Sequence, residues 1–157
     1  MVENGFIGKI VFEESSNICR SPQVEHELKV ATFDLLDENI FNLRNFGADK
    51  YHLHLSVIET RLKFEVRTEA DEKITEFFLR SNALNRIIKD YFLICESYFE
   101  AIKIKTPSQI EVIDMGRRGV HDEGADLLKE RLSDWVEIDD PTARRLFTLI
   151  CVLNIRG

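Results

Sequence analysis

The sequence predicts an α+β domain: an antiparallel sheet of four to five strands packed with about five helices, the last of them buried. Three observations carry this expectation. Apolar residues alternate with a period of two in an N-terminal strand at 6–12 and in a meander over 51–79, which is the pattern of half-buried strands. Longer segments between and after them repeat with the helical period. The final segment is apolar on nearly every side, as a helix central to a core must be.

Element by element, Phe6, Ile10 and Phe12 share one strand face, with Lys9 opposite. "SSNICRSP" breaks that pattern, and Ser21-Pro22 supplies an N-cap followed by proline at the first helical position. Val24, Leu28, Ala31 and Leu35 then fall within one arc of a helix running to about Asn39. Residues 39–50 read as an irregular connection. Tyr51, Leu53, Leu55 and Val57 face one way while His52 and His54 face the other. After "ETR", Leu62, Phe64 and Val66 repeat the alternation, and Ile74 to Leu79 follows the turn-rich "TEADEK". Ser81 opens a long helix with Leu84, Ile88, Tyr91, Cys95, Tyr98, Phe99 and Ile102 on one stripe. Thr106-Pro107-Ser108-Gln109 has the spacing of a capping box. The helix it starts is expected to stop at Gly116, with the next running from about Val120 to Trp135. "VEI" could add one more strand, and Asp140-Pro141 caps the last helix.

With 157 residues, the chain fits a single domain over 1–157 and is long enough to stand on its core without staples. Three cysteines, Cys19, Cys95 and Cys151, are odd in number and widely separated, with no Cys/His pair at zinc spacing. Disulfides, metals and cofactors are therefore not expected. Cys95 and Cys151 read as small core residues, and Cys19, beside Arg20, as the thiol to test for reactivity. A net charge of −7, spread over both halves, offers no basic face for a phosphate backbone, so nucleic acid is not expected as a partner. No apolar run spans a bilayer and no leader is recognisable, which points to the cytoplasm and away from the membrane.

The stretch that invites a functional reading is "DMGRRGVHDEG", Asp114 to Gly124. If a helix begins at Val120, its free amides together with Arg117, Arg118 and Gly119 would form an anion site. His121, at the edge of the apolar face, would be an acid or base, oriented by Glu123 or by Glu96. Against this stands the bland alternative that the glycines shape a turn and the arginines pair with the abundant acids. Glu96 also has the option of bonding a tyrosine or Arg144 or Arg145 as structural glue. The first helix has a second feature: His26 and Phe33, with Val30 and Leu36 at the margins, lie opposite its core stripe, an interface candidate if they are not buried within the fold.

Several stretches together, "RSPQVEHE", "ATFDLLDEN", "KDYFLICESYFEAI", "TPSQIEVIDMGRRGVHDEGADLL" and "TARRLFTLICVLNIRG", resemble the bacterial uncharacterised protein family 0262. The resemblance runs from about Phe6 to the C-terminus. It implies a bacterial cytosolic protein and brings no established activity, cofactor or catalytic residue. It also implies His-Trp where this chain has Asn154-Ile155. The functional expectation is a small binding or regulatory module that self-associates as a homo-oligomer. Whether the chain is an enzyme stays open; the alternative is an enzyme or sensor for a small anionic or phosphorylated metabolite held by the 117–123 segment.

Overall fold

The computed structural model describes residues 4–13, 22–58, 61–80 and 82–153. Cys19, the Ser21 cap, Glu59 and Thr60 of the expected corner, Ser81, and Asn154-Ile155 lie outside these residues. The elements run β1 (Phe6–Phe12), α1 (Pro22–Asp37), β2 (Asn42–Leu43), β3 (Lys50–Ile58), β4 (Arg61–Arg67), β5 (Lys73–Arg80), α2 (Asn82–Ile104), α3 (Pro107–Leu132), β6 (Val136–Glu137) and α4 (Asp140–Leu153). The α+β class and the 51–79 meander are as the alternation predicts: β3, β4 and β5 pair antiparallel in sequence order.

The sheet as a whole is mixed. β1 joins the edge beside β3 in parallel, giving the order β1-β3-β4-β5. The reason is topological. The chain leaving β1 crosses over through α1 before returning, and a crossover of a dozen or more residues is what a parallel pair requires. The expected irregular connection contributes β2, which pairs antiparallel with β6, the "VEI" strand, in a separate two-stranded sheet.

There are four helices in the described residues rather than about five, because the segments expected to part at Gly116 form one helix from Pro107 to Leu132. Its start is as predicted: Thr106 Oγ1 accepts from the Gln109 amide and the Gln109 side chain accepts from the Thr106 amide. Gly116 is not a helix end and has no left-handed backbone; a Cβ there would lie 2.9 Å from Ile94 Cδ1 of α2. Its role is close helix approach. At α4, Asp139 rather than Asp140 is the cap, its Oδ1 accepting from the Thr142 amide at 2.9 Å.

These four helices stack as a layer in the order α1, α4, α3, α2. Ile7, Tyr51, Leu53, Leu55, Phe64, Val66 and Phe77 point from the sheet into the core, where they meet α4's Leu146, Phe147, Leu149 and Ile150. Phe77 stacks between Phe64 (5.1 Å) and Trp135 (4.9 Å), tying the sheet to the end of α3. The buried last helix thus matches its all-round apolar sequence. The other sheet face carries the alternate residues, among them His52, His54, Lys63, Glu65 and Arg67.

α2 and α3 outrun this core. In α3 the buried residues, Gly124, Ala125, Leu128 and Leu132, all lie in the C-terminal half. On the outer end of the hairpin, Leu93, Phe99, Ile102, Ile104, Val112 and Met115 are exposed.

Candidate functional site

Because α3 is continuous, the 117–123 segment sits in mid-helix. The amides near Val120 are inside a helical hydrogen-bond pattern and are not the free donors that a helix start would present. Arg117, Arg118 and His121 nevertheless occupy defined places. One carboxylate takes both arginines: Asp114 Oδ1 accepts from Arg117 Nε at 3.0 Å and Nη2 at 2.6 Å, and Asp114 Oδ2 lies 3.2 Å from Arg118 Nε. The hydrogen bond from Arg117 holds the Asp114 carboxyl below the usual carboxylate range. The Arg117 guanidinium also lies 5.4 Å over the Tyr98 ring, and its charge acts on the nearby Tyr91 hydroxyl.

His121 comes to the same tyrosine from one turn further along α3. Its ring lies edge-on to Tyr91 and Phe147, with centroids 5.3 Å from each. Its Nε2 is 2.7 Å from Thr148 Oγ1 of α4. Since the Thr148 hydroxyl donates to the Arg144 carbonyl, it accepts from Nε2–H, which selects the tautomer of the neutral ring. Burial pushes the Tyr91 hydroxyl up to about 12, with the neighbouring Cys95 thiol adding to the shift. Burial likewise raises the thiols of Cys95 and Cys151, so neither has a nucleophile's thiolate character. Three helices thus meet around a polar cluster of Tyr91, Cys95, Arg117, His121 and Thr148.

The remaining predicted residues stay outside it. Gly119 faces outward, and a Cβ placed on it would meet no atom within 4 Å. Glu123 is exposed. Asp122 faces Arg144 Nε at 3.8 Å, and Arg145 donates to the Glu38 carbonyl, so neither arginine reaches Glu96, which is exposed. On α1, His26 is exposed, as are Val30 at 46% and Phe33 at 70%; none of the three is buried within the fold.

Burial lowers the pKa of His121, and this gives a test of its placement. A lowered folded-state pKa means that the unfolded chain binds a proton that the folded ring refuses. Its contribution to stability is therefore complete above the ordinary histidine value and is lost as pH falls through it. Comparing the unfolding free energy of the wild type with that of His121→Asn between about pH 7.5 and 5 should show the wild type losing more on acidification. Parallel curves would contradict a buried neutral ring.

Sequence reasoning missed a second cluster, on the sheet face turned away from the core. His54, 7% exposed, has Nδ1 3.0 Å from Glu13 Oε1 and Nε2 3.4 Å from Asp71 Oδ1. Its cross-strand neighbour Glu65 is bonded through Oε2 to Arg67 Nε at 2.7 Å and Nη2 at 2.6 Å. Arg67 reaches Asp71 as well, at 3.1 Å, and Glu13 at 3.6 Å. Glu13, His54 and Glu65 offer ligand atoms within 4.8 Å of one another, a spacing that a metal ion could draw together. The Arg67 guanidinium, however, already touches all three carboxylates and supplies the cation they surround. The arrangement is that of a partly buried ion-pair network. Its signal was present in the alternation: His52 and His54 on one strand and Glu65 and Arg67 on the next fall on the same face.

Comparisons with known proteins are consistent in what they find. The model of the uncharacterised protein family UPF0262 matches residues 5–156. A UPF0262 protein of Agrobacterium fabrum is 53% identical over 149 residues, covering 94% of each chain. One of Paramagnetospirillum magneticum is 51% identical over 151 residues, 96% of each. One from a Ruegeria strain is 52% identical over 156 residues, covering 96% of this chain and 98% of its own. No solved structure matches the chain. The chain belongs to the uncharacterised protein family UPF0262.

Proposed function

We propose that this chain is a small bacterial binding module that works in the cytoplasm as a self-associated protein. The supporting observation is the apolar surface left open on the helices: Val30 and Phe33 on α1, and Leu93, Ile104 and Val112 on the α2–α3 hairpin. A phenylalanine with 70% of its surface in water is stabilised by any cover that removes that area. No helix in the described residues is long and apolar enough to cross a membrane, so lipid does not account for these faces through a helical span. Sedimentation velocity at increasing concentration tests the reading. The sedimentation coefficient is expected to rise towards that of a dimer, and a constant monomer boundary would overturn it.

A second reading keeps the 117–123 segment as the site of an enzyme or sensor for a small anionic or phosphorylated metabolite. What favours it is the convergence of Arg117 and His121 on Tyr91. In that role Arg117, with Arg118 and Gly119 nearby, would hold the anion, and His121 would move a proton with Glu123 orienting it. To act on a ligand, Arg117 would have to exchange Asp114 for the anion. A thermal-shift series with phosphate, sulfate, nucleotides and sugar phosphates tests this. Binding at 100 times the dissociation constant should add about 2.7 kcal/mol to stability, and no shift at high concentration would remove the reading.

A further inference from the structure

The outer edge of the helix layer carries more information than its exposed apolar atoms. α2 packs on α3, and among the described residues no other helix or strand makes more than slight contact with it. At 100° per residue, Arg86, Lys89, Leu93, Glu96, Glu100 and Ile104 fall on the far side of α2 within an arc about 80° wide. All six are exposed. Their order is two bases, a leucine, two acids and an isoleucine. Arg86, Lys89 and Glu96 have no ion pair among the described residues, while Glu100 has Lys103 of its own helix at 3.8 Å.

We propose that this stripe of α2 is an isologous interface that takes a second copy of the same helix, antiparallel and crossing at Leu93. The inference rests on the self-association proposed above and names its surface. The sequence spacing decides the partner and the direction. Arg86 and Glu100 stand seven residues to either side of Leu93, and Lys89 and Glu96 stand four and three residues from it. A twofold axis at Leu93 therefore sets Leu93 on the partner's Leu93, Arg86 against the partner's Glu100, and Lys89 against the partner's Glu96. Lys89 and Glu96 also lie on the same flank of the stripe, which is the flank such an axis brings together. A parallel pairing would put base on base and acid on acid. Beside the stripe the exposed side chain at Ser97 is small, which lets a second helix approach. Opposed charges flanking a central leucine have the layout of a self-complementary interface: an apolar middle, with charge setting register and direction.

Two charge-reversed variants test it: Arg86→Glu with Lys89→Glu, and Glu96→Lys with Glu100→Lys. Both change exposed positions only, and circular dichroism checks that each folds. Either variant alone sets like charges against each other and should self-associate about a hundredfold or more weakly than the wild type. An equimolar mixture should form a heterodimer, read as a mass of one chain of each kind by native mass spectrometry. Two monomeric variants that stay apart on mixing would overturn the proposed pairing. So would variants that dimerise like the wild type. If in that case Val30→Asp with Phe33→Asp dissociates the protein, self-association stands and the α2 surface falls. A wild type that is monomeric throughout removes both.

Discussion

Phe147→Ala should cost about 3–5 kcal/mol of stability, the range for emptying a large aromatic site in a core. Phe147 is 0% exposed and joins the elements of the candidate site: its ring meets His121 at 5.3 Å and Tyr91 at 6.0 Å. Its tip also stands directly over Gly124 of α3. A Cβ at Gly124 would fall 2.3–2.7 Å from the ring carbons Cζ, Cε1 and Cε2. The usual gain of about 1 kcal/mol for replacing a helical glycine by alanine is therefore outweighed by overpacking, which costs about 1–3 kcal/mol. Gly124→Ala should lower stability, and Phe147→Leu should restore part of the loss in the double variant while costing stability alone. Denaturant unfolding of the four proteins closes the cycle. A Gly124→Ala protein more stable than the wild type would show that the ring does not sit there.

Replacing Arg67 by methionine should also destabilise the protein clearly, although the residue lies on the sheet face turned away from the core. Glu65 is only 8% exposed, and Arg67 is its close counter-ion. Lys73, 3.9 Å from the other carboxylate oxygen, is a distant substitute. Removing one partner of a buried pair strands the other charge away from water, and that is a far larger penalty than losing a surface pair. Partial solvation of the guanidinium softens the effect without removing it, because the stranded group is the carboxylate. Glu65→Gln with Arg67→Met removes both charges and should recover most of the loss. Arg118→Ala, by contrast, takes away an exposed ion pair and should stay within about 0.5 kcal/mol of the wild type. Denaturant unfolding of the set reads the comparison. A cycle in which the double variant is as unstable as the sum of the singles would mean that Glu65 and Arg67 do not act as a pair.

Sequence reasoning is strong in one respect here and blind in another. Period-two alternation located the meander, and the all-round apolar pattern put α4 in the core, because burial on one face or all faces leaves a direct mark on composition. The capping box at Thr106 was legible for a similar reason, since one local motif satisfies local hydrogen bonds. Gly116 misled because glycine serves two purposes: it ends helices, and it lets helices approach closely. Only the position of Ile94 on another helix decides between them. β1's parallel direction could have been read from the helix that follows it. The His54–Glu65–Arg67 network was harder, because alternation puts Glu65 and Arg67 on one strand face but only strand register sets His54 beside them. In the candidate site, the sequence pointed to Arg117 and His121, but not to Tyr91 and Thr148, which join them from other helices. Helical projection picks out His26, Val30 and Phe33, and the structure places them on the surface.

The most direct test of self-association is the molar mass of the wild-type protein by light scattering across a concentration series at low and high salt. The expected result is a mass rising towards twice the 18.3 kDa of one chain, with the rise weaker in high salt, where screening shortens the reach of surface charges to about 3 Å at 1 M. A mass of one chain at every concentration in both buffers would contradict it.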